Sequence, residues 1–102
     1  MQDLLETAGK VSELMKSLGN PKRLLILCQL AEAERSVTEL ARLTGMKEPA
    51  VSQQLALLRK DGIVSARRDG QNVLYALDRD DVRRLIEFLY VTYCAPACDQ
   101  NG

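Results

Sequence analysis

The chain has 102 residues, with 14 basic and 14 acidic side chains and no histidine. Its 46% hydrophobic and 27% charged residues are the proportions of one soluble globular domain, small enough to gain from pairing with a second copy. No apolar run approaches membrane-span length, and the opening MQDLLETAGK lacks the basic-then-apolar order of a signal peptide; a membrane or exported protein is argued against and a cytoplasmic location is expected.

Leu4, Leu5, Ala8, Val11, Leu14, Met15 and Leu18 recur at three- and four-residue steps, which predicts a first helix over 3–17. GNPKR then punctuates: Asn20 suits an N-cap and Pro21 the first helical position. The second helix runs to about Glu32, and Leu24 to Cys28, Leu30 and Ala31 leave it so little polar face that it should be central and buried. Ser36 or Thr38 can cap a short third helix carrying Val37, Leu40, Ala41 and Leu43, with Gly45 supplying the turn after it. A fourth helix restarts near Glu48 with Pro49 in its first turn, points Val51, Leu55 and Leu58 inward, and ends at Asp61-Gly62. Two short helices joined by a glycine-containing turn are a helix-turn-helix pattern. In IVSARRDGQNVLYAL, Val64 and Ala66, then Val73, Tyr75 and Leu77, alternate with polar neighbours, and Asp69-Gly70 is a hairpin signal between them. A last helix begins near Arg79 with the stripe Val82, Leu85, Ile86, Leu89, Tyr90 and Tyr93, and Pro96 ends it. The predicted fold is mainly α with a small antiparallel β-hairpin wing: a winged helix-turn-helix of about five helices over 1–95, homodimeric, followed by a flexible tail over 96–102.

In such a module the second helix of the motif enters the major groove and the hairpin lies along the backbone or minor groove. With Val51, Leu55 and Leu58 inward, the outward positions are near Lys47, Glu48, Ser52, Gln53 and Ala56, with Gln54 at the margin. Glutamine can pair bidentately with adenine, and serine can read several bases or a phosphate. Arg67, Arg68 and Gln71 are the hairpin's candidates for phosphate or minor-groove contact. Charge distribution agrees: residues 35–68 carry seven basic and three acidic groups, whereas 1–34 carry four and five and 69–102 carry three and six. A basic middle on a neutral chain suits a polyanion, and double-stranded operator DNA is the expected partner.

LGNPKRLLILCQL, SVTELARLTG, PAVSQQLALLRKDGIV and RRDGQNVLYAL resemble the ArsR/SmtB winged-helix repressors over about Leu18 to Tyr93. The resemblance implies a homodimer formed by the first and last helices, and an inducer that alters DNA affinity. Metal-sensing relatives often carry a cysteine pair at the start of the first motif helix, where this chain reads RSVTEL, or histidine and acidic ligands on the last helix, and this chain has no histidine. The closer similarity is to the dithiol subgroup of BigR, SqrR and HlyU type, with one cysteine in the second helix and one late in the last helix. It implies that Cys28 and Cys94 form a pair that responds to persulfides and related reactive sulfur species. Gln54 departs from the histidine often found there, and Cys98 is an extra thiol with no assigned role. Taken alone, Cys28 reads as a small hydrophobe. Another reading is a sensor of a thiophilic ion such as arsenite held by Cys28, Cys94 and Cys98, since thiolates select soft metals. No metal site beyond that alternative, no cofactor and no enzymatic activity is expected. With histidine absent, a nearby Lys or Arg would have to favour the attacking thiolate.

Overall fold

Local signals set the helix boundaries. The Asn20 side chain accepts from the backbone N–H of Lys22 and Arg23, and Pro21 opens the helix that follows. Ser36, rather than Thr38, caps the third helix: its hydroxyl accepts from Glu39 N–H at 3.2 Å while the Glu39 carboxylate accepts from Ser36 N–H at 3.0 Å, a reciprocal capping box. Gly45 ends that helix at φ +75°, a conformation that costs glycine nothing. The computed structural model describes residues 2–94. In chain order they form α1 (Gln2–Leu18), α2 (Pro21–Glu32), α3 (Val37–Thr44), α4 (Glu48–Lys60), β1 (Val64–Asp69), β2 (Asn72–Leu77), α5 (Asp80–Leu89) and a π-helical turn (Tyr90–Cys94). This is a five-helix fold with a two-stranded antiparallel wing. The expected tail over 96–102, with Pro96 and Cys98, lies outside the described residues.

α2 is the hub, packing against α1, α3, α4, α5 and β2. It contributes Ile26, Leu27 and Leu30 to a core completed by Leu18, Leu40, Val51, Leu55, Leu58, Ile63, Val64, Leu77, Val82 and Ile86. Its burial is one-sided: Leu25 is exposed and Leu24, Cys28 and Ala31 are half-buried. The carbonyls near its C-terminal end are taken by guanidinium groups, Arg83 Nη1 on Ala31 O at 3.1 Å and Arg35 Nε on Gln29 O at 3.4 Å.

Two details differ from the sequence-based expectation. Asp69 pairs with Asn72, so the hairpin loop is Gly70-Gln71 rather than Asp69-Gly70. Gly70 takes φ +66° and Gln71 no positive φ, the requirement of turns that place glycine first. The last helix also changes pitch: α-helical bonding stops at Leu89 and a π turn carries the chain to Cys94. The expected stripe splits accordingly, with Val82 and Ile86 buried and Tyr93 71% exposed. β2 gains a partner that periodicity did not suggest. Arg35 and Tyr75 exchange both backbone hydrogen bonds, at 3.0 and 2.8 Å, and anchor the wing to the α2–α3 connection.

Candidate DNA-binding face and thiol cleft

α4 turns Val51, Leu55 and Leu58 into the core and so exposes the opposite face. Lys47, Glu48, Ser52 and Gln53 are exposed there. Glu48 Oε2 accepts from Thr38 Oγ1 at 3.5 Å, tying the helix start to α3. Gln54 stands apart: it is half-buried, and its Oε1 accepts from Arg23 Nε at 2.8 Å. On the wing, Arg67, Arg68 and Gln71 are all exposed. Neighbouring strand residues point to opposite faces, so the two arginines diverge. Arg67 is held by Glu34 in a two-pronged pair, Nε to Oε2 at 2.7 Å and Nη2 to Oε1 at 2.8 Å. The hydrogen bond from Arg67 holds the Glu34 carboxyl below its ordinary value of 4.5. Arg68, across from Val73, makes no such pair among the described residues.

The second feature lies between α2 and the end of α5. A cleft of about 290 Å³ is lined by Cys28, Ala31 and Glu32 on one side and by Ile86, Glu87, Tyr90 and Val91 on the other. Cys28 is half-buried in its wall. Cys94 closes the π turn to which Tyr90 and Val91 belong, but its side chain lies outside the described residues, as does Cys98. The cleft's charged lining is Glu32 and Glu87, so the Lys or Arg expected beside the thiols is not among its lining residues. Arg35 stands one layer out, on Glu32 at 3.0 Å. Among the described residues, no three metal-ligating side chains cluster. No described helix is long and apolar enough to cross a membrane.

Sequence reading missed Arg23, Glu34, Arg35 and Arg83. Arg23, Glu34 and Arg83 have partners far along the chain, Gln54, Arg67 and Ala31, and Arg35 pairs its backbone with Tyr75, so no local pattern signals these contacts.

A helix-turn-helix whose second helix exposes a polar face, followed at once by an anchored two-stranded wing, defines a winged helix-turn-helix DNA-binding protein. Residues 20–66 match the arsR family of bacterial regulatory proteins. The biofilm growth-associated repressor of Agrobacterium fabrum is 45% identical over 89 residues, 87% of this chain and 76% of that protein. The transcriptional activator HlyU of Vibrio cholerae is 39% identical over 92% of this chain and 87% of its own length. The structure of its reduced form superposes with a TM-score of 0.86, covering 92% of this chain and 99% of that one. The solution structure of a homodimeric winged helix-turn-helix DNA-binding domain from Mycobacterium bovis is 35% identical, with a TM-score of 0.74 over 90% of this chain and 85% of that one. The chain belongs to the arsR family: it is a DNA-binding transcriptional regulator of the kind resembling BigR and HlyU, and not an enzyme.

Proposed function

We propose that the protein is a homodimeric repressor that binds a near-palindromic operator and releases it when reactive sulfur bridges Cys28 to Cys94. The observation that carries this reading is the cleft: Cys28 lines one side, and the turn that ends in Cys94 lines the other. A disulfide needs Cα atoms within about 7 Å, and two elements that share the walls of one small cleft suit that requirement. A persulfide R–S–SH is a sufficient oxidant. One thiolate of the pair attacks its outer sulfur and expels RSH. The second thiolate then displaces hydrosulfide from the new cysteine persulfide. Two thiols and one persulfide thus become one disulfide, RSH and hydrogen sulfide. The thiols must start reduced, which suits the cytoplasm.

Two further observations support the dimer. α1 and the last helical segment leave Leu4, Leu5, Met15, Phe88, Val91 and Tyr93 exposed. The Mycobacterium bovis relative is homodimeric. The repressor sense follows the Agrobacterium relative. Operator release on persulfide treatment tests the switch. Cys28→Ser and Cys94→Ser each bind the operator when reduced and fail to let go, while Cys98→Ser still responds. Normal release by Cys94→Ser contradicts the reading.

A further inference from the structure

Arg23 sits in the first turn of α2, half-buried, with its backbone N–H on the Asn20 cap. Its guanidinium spans three helices. Nη1 donates to Ser17 O at 3.2 Å, one of the last carbonyls of α1, and Nε donates to Gln54 Oε1 at 2.8 Å on α4. A carbonyl in the last turn of a helix lacks an intrahelical donor, so an arginine there is favourable by hydrogen bond and by helix dipole. The amide of glutamine divides its chemistry between an accepting oxygen and a donating NH2, and bidentate reading of adenine uses both at once. On the half-buried Gln54 side chain, an oxygen accepting from Arg23 at 2.8 Å is turned toward α2 rather than toward a base.

We propose that Arg23 is a positioning residue for DNA reading: by holding Gln54 Oε1 and the end of α1 together, it presents Gln54 to DNA as a donor only and leaves adenine reading to Gln53. This rests on the reading of α4 as the groove-facing helix. Gln54 then favours acceptors such as phosphate oxygen or the guanine edge, and the α1 terminus sets the rotation of α4 through one side chain.

The test is selection of the full chain on a randomised duplex pool, comparing wild type, Gln54→Ala, Arg23→Ala, Arg23→Lys and the double variant that carries both alanine changes. Arg23→Ala releases the amide oxygen and gains adenine preference at one position per half-site, by about fivefold or more for a bidentate pair. That gain disappears in the double variant. Arg23→Lys keeps a cation at the end of α1, loses the fork that reaches both partners, and shows the same gain, which guards against a folding defect in the alanine variant. Loss of affinity with an unchanged base preference in both Arg23 variants overturns the proposal, because a purely structural role moves affinity alone. A wild type that selects no sequence at all overturns the groove-facing reading of α4 instead, and the proposal with it.

Discussion

Arg67 and Arg68 are neighbours in sequence but differ in their partners. Arg67 is clamped by Glu34, whereas Arg68 makes no such pair among the described residues, so the proposed DNA-binding reading assigns the wing's phosphate contact first to Arg68. Arg68→Ala should therefore weaken binding to all duplexes and lower the salt slope by about one contact per subunit. Glu34→Gln loosens the clamp and removes a negative charge beside the wing, so it should tighten binding by about two- to fivefold, the scale of an exposed ion pair. Equal salt slopes for Arg68→Ala and wild type would reverse these roles. The clamp's pH dependence has a definite sign. The folded Glu34 value is depressed, so its contribution is complete above 4.5 and is lost as pH falls through the lower folded value. Acid titration of Glu34→Gln should lack that component. Gln53, exposed on α4, should instead carry specificity: Gln53→Ala narrows the gap between operator and random DNA by about 1–3 kcal/mol. Composition and periodicity located these side chains on the correct elements. They could not reveal that Arg67 has an acidic partner 33 residues away or that Gln54 is held by Arg23.

Among the elements, α3 and α4 were legible almost residue by residue. Val51, Leu55 and Leu58 at four- and three-residue steps are all fully buried, and Gly45 has the positive φ that its place in the turn required. Leu55→Ala should cost about 2–5 kcal/mol by chemical denaturation, the range for a truncated core leucine. Ser36→Ala removes one half of the capping box and should cost about 1 kcal/mol. A wild-type midpoint for Ser36→Ala would show that the Glu39 half suffices. The wing anchor and the π turn were not legible, for different reasons. The anchor is a backbone pairing between Arg35 and Tyr75, and backbone groups are the same in every residue. The π turn preserves an apolar stripe that reads like continued α-helix, although Tyr93 is 71% exposed. The α1 stripe shows a third case. Periodicity identified the helix, but Leu5 is 70% exposed in the single chain, which is why the proposed dimer places this stripe at its interface.

At the scale of the whole molecule, the proposed dimer makes α2 the link between the partner copy and the thiol cleft. It touches α1, α5, α3 and α4, so a bond that draws the last helical segment against Cys28 acts on the hub of the fold. Paired recognition helices must match half-sites at fixed separation, and small shifts between subunits cost several contacts. A bias of about 1–3 kcal/mol toward one dimer conformation changes affinity about 5- to 150-fold, enough for a switch. Leu5→Glu on the exposed α1 stripe should yield monomers by sedimentation and lose operator affinity together. A variant that stays dimeric would move the interface elsewhere. The most direct test of the switch is denaturing peptide mass spectrometry of persulfide-treated protein collected as it leaves the operator. The expected result is a peptide containing Cys28 joined through sulfur to one containing Cys94, in the released fraction and absent from the DNA-bound fraction. Release with both cysteines unmodified, or with the bridge equally present in protein still bound to DNA, would contradict it.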